Sequence, residues 1–94
     1  MQITLRLTKS LSLLNNGKKD AILSLKNSCD MAEAIDHLDE EMPGMKAALL
    51  TENLSIEDSI NIYVNGENIR YREGTLTLLS DGDLISIIPA AAAG

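Results

Sequence analysis

The 94-residue chain contains no phenylalanine, no tryptophan and only two tyrosines, so it has no surface on which nucleobases could stack. Leucine, isoleucine, valine, methionine and alanine must therefore fill whatever interior it has. There is a single cysteine, Cys29, which excludes an internal disulfide, a CxxC redox pair and a cysteine-ligated cluster or zinc site. A lone cysteine of this kind is expected as a small apolar filler and fits a reducing cytoplasm. Basic residues are few, 8 against 14 acidic ones, and the net charge of −6 argues against nucleic acid and anionic membrane surfaces as partners. No hydrophobic run is long enough to span a bilayer. The first residues alternate apolar and polar instead of forming a basic stretch and an apolar block, so they do not read as a secretory signal. The partner left by these exclusions is a protein.

What remains is enough for one domain. A chain of this length buries somewhat more than ~60% of its unfolded surface and needs no metal or disulfide to fold. Ile3, Leu5 and Leu7 alternate with Gln2, Thr4, Arg6 and Thr8, which is a strand with one buried face. Residues 9–14 are ambiguous, and the run Asn15-Asn16-Gly17-Lys18-Lys19-Asp20 supplies turn residues. A second strand is expected over 21–26, antiparallel to the first. Asp30 and Glu33 form a capping box for a helix from Met31 to about Glu41, with Met31, Ala34, Ile35, Leu38 and Met42 as its apolar stripe. Pro43 and Gly44 stop it, and 45–50 allow one further helical turn. A strand over 59–64, a turn at Asn65-Gly66, a short strand over 68–71, a turn over 80–83 and a last strand over 84–89 complete the order.

In that last strand, Ile85 and Ile87 fall on one face and Leu84, Ser86 and Ile88 on the other. If the Ser86 face meets solvent, Ile88 is an exposed β-branched side chain immediately before Pro89-Ala90-Ala91-Ala92-Ala93-Gly94. Nothing in that terminal run packs as a core. Five residues after Pro89 reach roughly 16 Å at about 3.3 Å each, and the distinctive group at the tip is the Gly94 carboxylate, unhindered by any Cβ. The expected organisation is a domain over 1–89 and a flexible tail over 90–94.

The order strand, strand, helix, strands resembles the β-grasp fold of ubiquitin-like proteins, an α+β fold with a mixed sheet of four to five strands and one main helix on one face. Glu40-Glu41-Met42-Pro43-Gly44-Met45, the run from Ile62 to Arg70 and the run from Asp81 to Ala90 together resemble the MoaD/ThiS family of sulfur carriers, in particular those of molybdopterin and cysteine biosynthesis. The resemblance implies a carrier that is a substrate of enzymes, or a small subunit of a sulfur-transferring synthase. An E1-like enzyme using ATP and magnesium would adenylate Gly94, and a sulfur donor would convert it to a thiocarboxylate for a sulfur-accepting synthase. Ala90, Ala91, Ala92 and Ala93 would be the threaded tail and Ile88 and Pro89 part of the docking surface, with no cofactor bound by the chain itself. These carriers usually end in two glycines, and Ala93 departs from that pattern. Its methyl implies a roomier channel in the partner, poor activation, or a fold that has lost the chemistry. Two other functions share the sequence features: a ubiquitin-like modifier conjugated through Gly94, and a non-catalytic β-grasp binding module.

His37 and the carboxylates of Asp36, Asp39, Glu40 and Glu41 are expected on the wet face of the helix, without catalytic or metal roles. Asp81 and Asp83 are read as turn residues. Arg70 and Arg72 are candidates either for meeting acidic groups on a partner or for plain exposure.

Overall fold

The computed structural model describes residues 1–90. Within it the alternating first segment forms strand β1 (Gln2–Leu7), with Ile3, Leu5 and Leu7 buried and Gln2, Thr4 and Arg6 exposed. Residues 9–14, which the sequence leaves open, become a short helix α1 (Lys9–Ser12) followed by a 3-10 turn over Leu13–Asn15. Asn16 and Gly17 then take φ of 54° and 81°, and the chain returns as β2 (Asp20–Ser24), antiparallel to β1 with Thr4 opposite Ile22.

The capping box holds. The Asp30 carboxylate accepts from the Glu33 amide at 2.9 Å and the Glu33 side chain accepts from the Asp30 amide at 3.3 Å, starting helix α2 (Met31–Glu41). The whole expected stripe, Met31, Ala34, Ile35, Leu38 and Met42, is buried. Gly44 adopts φ 101°, which turns the chain into α3 (Met45–Leu49). Asp39 is more than a solvated residue: its Oδ1 accepts from the amides of Gly44 and Lys46, satisfying two of the free N–H groups at the start of α3.

Strand β3 (Ile60–Val64) leads through Asn65 and Gly66, both at positive φ, into β4 (Glu67–Asn68). A strand over 68–71 is expected from the sequence, but the chain bends at Ile69–Tyr71 into a 3-10 turn. The cause is local. Asn68 Oδ1 accepts from the Arg70 amide at 2.9 Å, giving the backbone a turn bond in place of a ladder bond. After a second 3-10 turn over Gly74–Leu76, β5 (Leu84–Pro89) closes the sheet.

The five strands lie in the order β2-β1-β5-β3-β4, with β1 and β5 parallel and every other pair antiparallel. This is the β-grasp arrangement. The inner faces of β1, β3 and β5 pack with α2 and α3 into one aliphatic core, where Leu5, Ile35, Leu38, Leu49, Ile62 and Ile87 are all within 1% of full burial. Each such side chain contributes about 1.5–3 kcal/mol relative to exposure. Cys29 belongs to that core, as expected.

Candidate functional site

Strand β5 is the middle strand of the sheet, paired with β1 as far as Ile87 and with β3 as far as Pro89. Its alternation falls as the sequence predicts: Ile85 and Ile87 are buried, Leu84 and Ser86 lie half-buried on the open face, and Ile88 is 43% exposed. Ile88 sits opposite Asn61 and Pro89 opposite Ile60.

The position of the proline follows from the ladder. The amide of Asn65 donates to the Leu84 carbonyl and the amide of Ala90 donates to the Ser59 carbonyl at 2.9 Å, so even-numbered residues of β5 bond to β3. Odd-numbered residues then turn their backbone groups towards β1, as the bond from the Thr4 amide to the Asp83 carbonyl requires. The register with β1 ends at Leu7 opposite Ile87. Pro89 therefore lacks its N–H on the side where no partner strand remains, and the proline removes no ladder bond. The ladder also continues one residue past it: Ala90 is half-buried and tethered to Ser59.

Ser59 itself is held by its neighbours. The Arg70 guanidinium spans the approach to β3, with Nη2 donating to the carbonyls of Glu57 at 2.6 Å and Ile60 at 2.9 Å, and Nε donating to Asn61 Oδ1 at 3.4 Å. The sequence suggests Arg70 and Arg72 as partner contacts. Arg70 is engaged with its own main chain, and Arg72 Nε lies 3.1 Å from Glu67 Oε1. Residue type alone gave no sign of the Arg70 clamp, because its acceptors are carbonyls 10 and 13 residues away.

On the other side of Pro89 lies a feature that the ambiguous segment concealed. Thr8, Lys9, Ser10 and Leu13 form, with Pro89, an open, mostly apolar groove of about 510 Å³, and Leu13 on its wall is 76% exposed. The remaining candidates, Ala91, Ala92, Ala93 and Gly94, lie outside the described residues.

Elsewhere the chemistry is quiet. His37 Nδ1 is 4.0 Å from Glu40 Oε2 on an exposed helix face, and Lys46 Nζ bonds Asp36 at 2.7 Å, which raises the lysine pKa. Burial, with Glu33 and Asp30 nearby, pushes the Cys29 thiol above its ordinary pKa of 9.0, so it is a protonated core residue at neutral pH. Among the described residues no cluster of three metal-ligating side chains occurs, and no helix is long and apolar enough to cross a membrane.

A β-grasp domain whose central strand runs directly into a run of small residues defines a protein of the ubiquitin-like carrier and modifier class. The chain belongs to the ThiS family, which it matches over residues 14–94. In a solved Amycolatopsis orientalis BexX/CysO complex, a chain that is 32% identical superposes with a TM-score of 0.84, covering 98% of this chain and 99% of that one. Small archaeal modifier protein 3 of Haloferax volcanii is 27% identical over 78 residues, 83% of this chain and 84% of the relative. The sulfur carrier protein CysO of Mycobacterium tuberculosis is 49% identical over 35 residues, 37% of this chain; the match spans 38% of that relative's length. The family is thus one of sulfur carriers and ubiquitin-like modifiers, and these relatives are small carrier or modifier proteins.

Proposed function

We propose that the chain is a sulfur carrier whose Gly94 carboxylate is the working group. A carboxylate is a poor electrophile, so an E1-like partner using ATP and magnesium first joins it to AMP, releasing pyrophosphate. A persulfide sulfur on a donor protein then attacks the carbonyl carbon and expels AMP, leaving an acyl disulfide. A donor thiol cleaves that disulfide, which frees the terminal thiocarboxylate and leaves the donor oxidised to a disulfide. A thioacid is ionised at neutral pH, and its soft sulfur is nucleophilic for the reason a thiolate is. The chain binds no cofactor in this scheme and supplies no catalytic side chain. The acceptor is a synthase, and the mycobacterial relative's name favours cysteine formation over molybdopterin.

The observation that carries this reading is the root of the terminal run. The last strand is paired on both flanks, its proline falls where the β1 ladder has ended, and the Ala90 amide is fixed to Ser59. The body can thus grip firmly while the residues beyond Ala90 are delivered into a partner as a tail. Ala93 in place of the family's usual glycine is accommodated by a wider channel in that partner. A single reduced cysteine accords with a cytoplasmic setting.

The test is intact mass after incubation with ATP, the adenylating enzyme and a sulfur source. The expected gain is the difference between sulfur and oxygen, lost when Gly94 is deleted; no gain overturns the proposal. The archaeal relative, a modifier by name, favours a second reading in which Gly94 is joined to lysines of other proteins. Denaturing gels of cell extract decide it, since a ladder of heavier species appears under conjugation and a single band under sulfur carriage alone.

A further inference from the structure

The charge of this chain is divided in a way its net value hides. Residues 1–19 carry four basic side chains, Arg6, Lys9, Lys18 and Lys19, and no acidic one, whereas the 75 residues that follow carry 14 acidic and four basic. The fold gathers the basic part at the end of the sheet from which the terminal run departs. The Leu7 amide donates to the Lys19 carbonyl, Gly17 to Ser12 and Lys18 to Asn15, so the β1–β2 connection folds over the same corner as Pro89. Arg6 lies opposite Ser86 of β5, with Asp20 at 3.7 Å as its exposed partner.

At this corner sits the groove walled by Thr8, Lys9, Ser10, Leu13 and Pro89. A leucine left 76% exposed beside a proline forms an apolar spot of the kind that partners cover. We infer that this groove receives an apolar side chain carried on an acidic segment of the adenylating partner. Charge selects the occupant. An acidic segment is repelled on average by the strongly acidic remainder of the chain and drawn to Lys9 on the groove wall and to Lys18 and Lys19 in the turn at the same end of the sheet, so the field favours the orientation in which the groove meets the anchor. The groove is continuous with Pro89, so seating the anchor also fixes where the terminal run enters the partner's site. A second copy of this chain, offering its acidic α2 face, is the alternative occupant.

The inference rests on the reading that Gly94 is handled by an adenylating enzyme, and the experiment separates the two. The ¹⁵N-labelled full chain is titrated with the source organism's E1-like adenylating enzyme, first without ATP and then in an ATP–pyrophosphate exchange assay. Leu13→Asp and Lys9→Glu are compared with the wild type; both positions are exposed, and melting curves confirm that the fold is retained. The expected result is that Leu13→Asp weakens binding and raises KM about thirtyfold, with kcat unchanged. Lys9→Glu raises KM roughly threefold at low salt, an effect that vanishes in about 0.5 M salt. Wild-type behaviour of both variants overturns the inference, as does the absence of any association. Shifts at Leu13 that follow the chain's own concentration assign the groove to a second copy and overturn it too. Binding that is weakened by Leu13→Asp but accompanied by no exchange in the wild type leaves the groove standing and removes the reading of Gly94.

Discussion

The Arg70 guanidinium donates to the Ile60 carbonyl at 2.9 Å, one residue from the Ser59 carbonyl that holds the Ala90 amide. One side chain thus braces the segment on which the terminal run is hung. Glu57, the other carbonyl acceptor of Nη2, and Asn61, opposite Ile88, complete the brace.

Replacement of Arg70 by alanine leaves those carbonyls without their charged donor. Hydrogen bonds to charged groups contribute about 1.5–3 kcal/mol each, less where water substitutes, so a net loss of about 2 kcal/mol in urea unfolding is expected. Exchange of the Ala90 amide should accelerate more than exchange in β1, because the brace acts at the β3 edge of β5. Equal acceleration throughout the sheet would mean that Arg70 contributes only global stability. Arg70→Lys keeps the charge but loses the forked geometry and should fall between the two.

Thr8 Oγ1 is buried and has no hydrogen-bond partner among the described residues. A buried unpaired hydroxyl costs about 1–3 kcal/mol. Thr8→Val keeps the shape and removes the polar atom, so it is expected to raise the melting temperature, whereas Thr8→Ala opens a gap and should not. A lower melting temperature for Thr8→Val would show that the hydroxyl is satisfied by something else.

Cys29 gives a pH prediction whose sign follows from its environment. Burial and the carboxylates of Glu33 and Asp30 raise its pKa in the fold above the ordinary 9.0. The protonated thiol is therefore favoured by folding: its contribution is fully present below pH 9.0 and is lost as pH rises through the folded value. The stability difference between wild type and Cys29→Ala, measured by urea unfolding, should be constant from pH 6 to 8 and shrink above 9. Alkylation by iodoacetamide at pH 8 should be slow until urea is added.

Much of this architecture is legible in the sequence because it depends on short-range patterns. The period-two run Ile3, Leu5, Leu7 and the period-3.6 stripe Met31 to Met42 fix which faces are buried, and the pair Asp30 and Glu33 places the start of α2. The exposure of Ile88 was readable for the same reason. Four features were not. The turn at Ile69–Tyr71 arises from one side-chain bond of Asn68 that competes with the ladder. The Arg70 clamp and the capping of α3 by Asp39 depend on acceptors and donors brought together only by the tertiary fold. The Leu13–Pro89 groove joins residues 76 positions apart along the chain, beyond the reach of any local periodicity.

Ile87 and Ile88 are adjacent in sequence and opposite in environment, 1% and 43% exposed, which makes them a matched pair for separating fold from docking. Ile87→Ala removes buried atoms from the centre of the sheet and should cost about 2–5 kcal/mol, part of it for the cavity left behind. Ile88→Ala removes half-solvated atoms and should stay within about 1 kcal/mol of the wild type. Function should reverse that ranking at temperatures where both variants are folded. Ile87→Ala keeps the open face of β5 intact and should be adenylated with an unchanged KM. Ile88→Asp puts a carboxylate beside Asn61 at the root of the terminal run and should raise KM about tenfold or more, since a charge would have to be desolvated at the proposed docking surface. Adenylation of Ile88→Asp at the wild-type KM would remove Ile88 from the docking surface, and the terminal run alone would then have to account for recognition.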